Sequence, residues 1–204
     1  NIGLFTSTDF GLVPRIQRGE AIPLEELLDG RDALASAILR SGGLLRFGQR
    51  FMRGIEPAPR PADRPRTLFE KIVARHALRT DATQATDAPG SGIFVRADWR
   101  FIHEYYTGMC AHMLHTTFGK PLVLHEPGSV VVFEDHTSYL ATSPNHLRHG
   151  LVPNMLAMVR AQRDFAADNG LRMHRTLTEE EAARDDGSNV AGISHAMMAE
   201  HYAL

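Results

Sequence analysis

The sequence places two acidic residues and a histidine directly after a run of apolar residues. Residues 130–133 read Val-Val-Val-Phe, and Asp135 and His136 follow closely. A carboxylate next to an imidazole stabilises the protonated ring and lets it act as a general acid. Asp135 and His136 are therefore candidate catalytic residues. Spacing alone leaves an alternative in which Asp135 caps the next segment and His136 is an ordinary loop histidine.

A metal site is a second possibility, because the chain has eleven histidines and many of them lie near its middle. Histidines at helix spacing can bind a metal ion from one helix face, although such pairs also occur as surface or cap residues. The residues of this alternative, a mononuclear metal hydrolase, are His103, His112, His115 and His136. The segment 103–107 does not match the zinc-protease motif, because its fifth residue is a threonine.

The sequence gives little support to nucleophilic catalysis or to phosphate binding. The single cysteine, Cys110, falls within a helical pattern, where a buried and inert thiol is expected. The glycines of residues 187–192 lack the lysine and the spacing of a phosphate-binding loop. One cysteine cannot form an internal disulfide, and it cannot by itself hold a zinc ion or an iron–sulfur cluster.

The elements around Asp135 and His136 indicate how these residues are positioned. The apolar residues 130–133 predict a fully buried strand, central in a parallel sheet. Asp135 and His136 then lie at the carboxyl end of that strand, where open α/β sheets bind their ligands. Near the end of the chain, Gly192-Ile193-Ser194-His195 leads into a helical pattern. This segment could place His195 opposite His136.

The remaining sequence predicts a mainly helical segment, a linker and an α/β domain. Residues 1–54 carry helical patterns interrupted by Gly42-Gly43, and residues 55–66 are rich in proline, as in an extended linker. In residues 67–204, predicted helices at 67–78, 101–118 and 152–169 alternate with predicted strands, which favours an α/β fold. The opening helix has Thr67 as its cap and Glu70 in the capping-box position.

Composition and charge narrow the range of partners and locations. The chain has 204 residues, a formal net charge of -2 and no apolar stretch near twenty residues. Nucleic acid and membrane partners are therefore not expected. The absence of a signal sequence favours a cytoplasmic location. The chain begins without methionine, which suggests processing or derivation from a longer polypeptide.

Four segments carry a resemblance to a known family. Residues 67–76 are similar to T-L-x-E-K-I-x-x-x-H, and residues 101–104 are similar to L-V-H-E. Residues 133–136 are similar to M-D-H, and the stretch from Gly192 to Leu204 is similar to G-I-x-H-x-x-x-E-x-Y-A. In this order, the motifs resemble the aconitase superfamily of iron–sulfur hydro-lyases, which includes aconitase, homoaconitase and the large subunit of 3-isopropylmalate dehydratase.

The resemblance implies an aconitase-like first catalytic domain that acts on a hydroxy di- or tricarboxylate. In the family, a [4Fe-4S] cluster has one iron free of cysteine, which acts as a Lewis acid. Asp135 and His136 are implied to protonate the departing hydroxyl group, with His195 in the same polar network. A serine from a swivelling domain would remove the carbon-bound proton. The candidate substrate-binding residues are His103, Glu104, Thr137 and Ser138.

The chain also departs from the family pattern. The Asp-Ser-His motif and the three cluster cysteines are absent from residues 1–204, so no metal ligand is assigned to this chain. We therefore expect either a fragment or a subunit completed by further catalytic domains or a partner subunit. Residues 1–4 and 38–47 loosely resemble the end of a swivel domain, which would precede the catalytic domain in a fused polypeptide. A catalytically inactive, truncated binding module is a further alternative.

Overall fold

The computed structural model describes residues 9–51, 54, 56–60, 64–79, 89–137, 143–150, 154–189 and 192–203. The chain divides into two compact units, Asn1–Ala97 (unit 1) and Asp98–Leu204 (unit 2). Both helices and strands are present, so the predicted mixed α/β class is confirmed. Residues 1–4, which loosely resemble the end of a swivel domain, lie outside the described residues.

Unit 1 begins with short helices, as the sequence predicts. Their bounds are α1 (Leu12–Gln17), α2 (Leu24–Leu28), α3 (Ala33–Arg40) and α4 (Leu44–Phe51). Helix α3 starts where the side chain of Asp32 accepts hydrogen bonds from the backbone N–H groups of Leu34 and Ala35. Gly42 and Gly43 have φ angles of 81° and 107°, and they separate α3 from α4. The predicted helix break at these glycines is confirmed.

A small antiparallel sheet completes unit 1. It contains β1 (Glu56–Pro57), β2 (Ala77–Arg79) and β3 (Phe94–Val95), and α5 (Leu68–His76) precedes β2. Thr67 and Glu70 form the predicted capping box at the start of α5. The region that the sequence predicts as a linker, 55–66, contributes β1 to this sheet. The division between the units lies after Ala97, whereas the sequence places the start of the second domain at residue 67.

Unit 2 is built on a three-stranded parallel sheet with the order β4–β5–β6. Its elements are β4 (Arg100–His103), α6 (Glu104–Phe118), β5 (Val130–Phe133), α7 (Pro144–His149), α8 (Met155–Asp168), β6 (Arg172–His174), α9 (Glu179–Ala182) and α10 (Ser194–His201). Strand β5 pairs in parallel with both neighbours. The prediction of a central parallel strand at 130–133 is therefore confirmed.

Helices cover both faces of the parallel sheet. Val132 packs with Phe165 and the other apolar side chains contributed by α6 and α8. Val131 and Phe133 point to the opposite face, where they pack against Met198 of α10. The side chains of β5 are thus buried on both faces, and each contributes about 1.5–3 kcal/mol of hydrophobic stabilisation. The resulting three layers hold the carboxyl ends of the strands in fixed positions.

The two outer strands of the parallel sheet differ from the sequence prediction. The predicted helix from residue 101 begins only at Glu104, because Arg100–His103 pairs with β5 as a strand. Strand β6 (Arg172–His174) was not predicted, because its sequence Arg-Met-His is neither continuously apolar nor a clear alternation. Among the described residues, no helix is long and apolar enough to cross a membrane.

Candidate functional site

The candidate site lies where the three parallel strands end. His103, Phe133 and His174 are aligned in register, so the last residues of β4, β5 and β6 lie side by side. The loop that follows β5 contains Asp135 and His136 at this same edge. This arrangement is the one in which parallel α/β sheets collect polar side chains from separate parts of a chain.

Asp135 connects His136 to helix α10. One carboxylate oxygen, Oδ1, makes a short contact with Nδ1 of His136, and the other, Oδ2, accepts a hydrogen bond of 2.8 Å from the backbone N–H of Ser194. Burial raises the pKa of the Asp135 carboxyl, but hydrogen bonds from Ser194 and His136 outweigh this effect and hold the pKa below its ordinary value. Asp135 is therefore ionised at neutral pH and orients the His136 ring.

His103 stacks on His136. The two ring centroids are 4.1 Å apart with an angle of 29° between the ring planes. His103 is buried, and its Nδ1 atom makes no hydrogen bond with the described residues. Burial lowers the pKa of His103 below its ordinary value, and the neighbouring His136 lowers this pKa further. The site therefore holds a neutral imidazole directly against the ring that Asp135 orients.

Glu104 lies beneath the loop that carries His136. The backbone N–H groups of Asp135 and Thr137 donate to its Oε2 and Oε1 atoms at 3.3 and 2.5 Å. The Thr137 hydroxyl donates to Oε1 at 2.7 Å. Glu104 is only 1% exposed, so its carboxylate is not presented to a ligand. Glu104 and the equally buried Thr137 are thus bonded to each other within the fold, and their substrate-binding role stays a prediction.

His195 lies in the first turn of α10, next to the serine whose N–H bonds to Asp135. Its ring is exposed and meets the ring of Phe101 edge-on, with centroids 5.1 Å apart. His195 also lowers the pKa of His103 through charge repulsion, although this effect is smaller than that of burial. The structure therefore brings His195 to the same edge of the sheet as His103 and His136.

Sequence reasoning missed two tyrosines that flank the histidines. Tyr105 lies 4.9 Å from His136, and Tyr106 lies 5.0 Å from His103, both between ring centroids. Both tyrosines are exposed in the first turn of α6. They are the two residues that follow Glu104 in the sequence, and this position next to a candidate residue was the signal that could have identified them. Their hydroxyl groups add hydrogen-bond donors at the rim of the site.

Of three other predicted candidates, two lie elsewhere and one is outside the described residues. Ser138 falls outside the described residues, so its substrate-binding role is not described by the structure. His112 and His115 lie two to three turns along α6 from Glu104, because a helix rises about 1.5 Å per residue. The metal alternative that combined them with His103 and His136 therefore loses these two ligands.

Metal-binding side chains nevertheless meet at the site. Within the described residues, one ligand atom from each of four side chains lies within 4.8 Å of the others; these side chains belong to His103, Glu104, Asp135 and His136. The carboxylate oxygens of Glu104 and Asp135 already accept hydrogen bonds from the protein. Two histidines with two engaged carboxylates form a weaker set of metal ligands than free side chains would provide.

The residues of this chain do not fit a [4Fe-4S] cluster. Such a cluster needs several thiolates, and Cys110 is the single cysteine of the chain. Cys110 lies within α6, and burial raises the pKa of its thiol, which disfavours the thiolate. The residues of this chain therefore cannot hold such a cluster on their own.

No protein-family profile, no curated protein and no solved structure matches this chain. The assignment of a function therefore depends on the geometry of the site and on the motifs in the sequence.

Proposed function

We propose that the chain forms the acid-bearing part of an aconitase-like hydro-lyase, which reversibly removes water from a hydroxy di- or tricarboxylate. The observation that carries the proposal is the contact between Asp135 and Nδ1 of His136 at the end of a central parallel strand. Since Nδ1 faces a carboxylate, Nε2 is the ring nitrogen left for proton transfer. The His136 side chain is 36% exposed, so a substrate can reach it.

In the proposed dehydration, His136 donates the proton on Nε2 to the hydroxyl group of the substrate. The carbon–oxygen bond breaks, water leaves, and a carbon–carbon double bond forms as a base takes a proton from the adjacent carbon. Asp135 holds the ring through Nδ1 in the orientation that the transfer needs. The base of this family, a serine of the swivelling domain, and the cluster would come from other protein segments, since residues 1–204 lack the three cluster cysteines.

The neighbouring rings support binding of a carboxylate-bearing substrate. His103, His195 and the hydroxyl groups of Tyr105 and Tyr106 provide hydrogen-bond donors around His136. A neutral His103 can donate one ring N–H to a substrate oxygen without competing with His136 for the proton. His103 and His195 are therefore proposed to bind and orient the substrate.

The experiment is a substitution of the acid in the complete enzyme, purified with any natural partner. His136→Ala should lower turnover by at least about a hundredfold, which is the usual contribution of general acid catalysis. Turnover can be followed by the absorbance of the new double bond on a panel of hydroxy di- and tricarboxylates. His112→Ala, an exposed histidine of α6, is the matched control and should retain wild-type turnover. Unchanged turnover of His136→Ala would remove this residue from the mechanism.

A mononuclear metal hydrolase is the second candidate, favoured by the four metal-binding side chains that meet at the site. Metal analysis of the purified chain separates the two functions. Stoichiometric zinc, iron or manganese that is lost in both His103→Ala and His136→Ala would support the hydrolase. Iron and sulfide in the complete enzyme, with no metal on the chain alone, would support the hydro-lyase. Absence of any turnover or metal would leave the truncated binding module.

A further inference from the structure

Three hydrogen-bond donors converge on the buried carboxylate of Glu104. Two are the backbone N–H groups of Asp135 and Thr137, and the third is the Thr137 hydroxyl. Donors grouped in a loop in this way form a cradle for an anion. An ionised carboxylate is the matching partner, because it only accepts hydrogen bonds and offers about four lone-pair positions.

We infer that the Glu104 carboxylate, held by these three donors, positions His136. The contacts of Glu104 fix the residues on both sides of His136, since they involve Asp135 before it and Thr137 after it. The two ends of the His136 backbone are thereby held on one rigid group at the start of α6. Asp135 then orients the ring itself through Nδ1. Glu104 acts only through the loop and is a positioning residue.

This assignment also restricts where a substrate can bind. The N–H groups that follow β5 are already occupied by Glu104, so they cannot hold a substrate carboxylate. Groups at the exposed rim, such as the tyrosines in the first turn of α6, remain available for that purpose. The inference rests on the proposed function only for its effect on turnover, because the positioning of His136 can be observed without any substrate.

Chemical rescue tests the inference. Glu104→Ala empties the cradle, and a small carboxylate from solution, formate or acetate, can occupy it. We expect the downfield ¹H resonance of the His136 Nδ1 proton in the full chain to disappear in Glu104→Ala and to return with formate. Chloride at the same ionic strength should not restore it. In the complete enzyme, turnover of Glu104→Ala should fall about tenfold to a hundredfold, as for other losses of positioning.

Glu134→Ala provides the matched control. Glu134 is another buried glutamate, and it accepts hydrogen bonds from Arg163 and from the backbone N–H of Thr176. Its removal should lower stability but leave the His136 resonance in place and insensitive to formate. A Glu104→Gln variant retains the volume of the side chain, so it should fold even if Glu104→Ala does not. It should lose the resonance, because its NH2 group cannot accept a hydrogen bond from the loop. Formate should not restore the resonance, because the amide still fills the cradle.

Two outcomes would overturn the inference. One is an unchanged His136 resonance in both Glu104 variants, which would show that the loop holds its position without the carboxylate. The other is a resonance lost and rescued by formate in Glu134→Ala as well, which would indicate a general effect of buried charge. Neither outcome depends on hydro-lyase activity. If only the proposed function is wrong, the His136 resonance will respond to the Glu104 variants as expected, while the complete enzyme shows no hydro-lyase turnover.

Discussion

The two sheets formed by the described residues differ in strand direction, and only one of them collects polar side chains at a single edge. In unit 1, β1, β2 and β3 are antiparallel, so consecutive strands end at opposite edges. In unit 2, β4, β5 and β6 are parallel, so their carboxyl ends meet. His103, Asp135 and His136 come together for this reason.

The sheets also differ in burial. Val131, Val132 and Phe133 of the parallel sheet are almost inaccessible, whereas Phe94 of the antiparallel sheet is partly buried and Val95 is exposed. A site that must hold rings within fractions of an ångström requires a rigid support. The buried strands of the parallel sheet supply this support.

The largest expected effect is the loss of a core ring from the parallel sheet. Phe133→Ala should lower the free energy of unfolding by about 3–5 kcal/mol, because a fully buried aromatic side chain leaves a cavity. Phe94→Ala, the matched change in the antiparallel sheet, should cost only about 1 kcal/mol because less surface is buried. Urea unfolding followed by far-UV circular dichroism and by fluorescence of Trp99 checks both values. Equal losses of unfolding free energy would contradict the idea that the parallel sheet is the more firmly packed of the two.

An intermediate effect is expected for the ion pairs next to each sheet. Arg163 forms two hydrogen bonds with the buried Glu134, at 2.5 and 2.9 Å, whereas Arg79 and Glu56 of unit 1 are both exposed. Arg163→Ala should cost about 1–2 kcal/mol, less than for a fully buried pair, because Arg163 itself is partly exposed. Arg79→Ala should produce no measurable change. Thermal and urea unfolding of the two variants give the comparison, and a loss in Arg79→Ala as large as in Arg163→Ala would contradict it.

The smallest expected effect is a pH dependence of the free energy of unfolding, caused by two histidines of the parallel sheet. Burial lowers the pKa of both His103 and His174 below the ordinary value. Below about pH 6.5 the unfolded chain binds protons that these folded histidines do not, so stability should decrease as the pH falls. His174→Gln should reduce this slope, while Phe94→Ala should retain it. Urea midpoints between about pH 7 and pH 5.5 measure the slope. A wild-type stability that rises on acidification would contradict the sign.

Local signals in the sequence predicted much of the fold. The apolar run at residues 130–133 predicted a buried strand because both of its faces need cover, and the capping box at Thr67 predicted the start of α5. The pair of Asp135 and His136 was found because the two residues are adjacent in sequence. Each of these signals depends on neighbours in the chain, which a single sequence displays directly.

Contacts between distant residues could not be predicted in the same way. Glu104 bonds to Thr137 across 33 positions, and Asp135 bonds to Ser194 across 59 positions. Glu104 became a substrate-binding candidate through the resemblance of residues 101–104 to L-V-H-E, and this short motif carries no information about its bonds to Thr137. Strand β6 and the strand at Arg100–His103 likewise depend on pairing with β5, which overrides local preference. That the site belongs to an aconitase-like hydro-lyase stays a prediction.

Helix α10 has no side-chain cap of its own, and its first N–H instead bonds to Asp135. Asp135, which orients His136, therefore also stabilises the first turn of α10, which begins 59 positions later in the sequence. Opening of that turn and release of the imidazole should then occur as one cooperative event. Amide hydrogen exchange at the start of α10 would consequently report on the order of the loop that carries Asp135 and His136, without any added ligand.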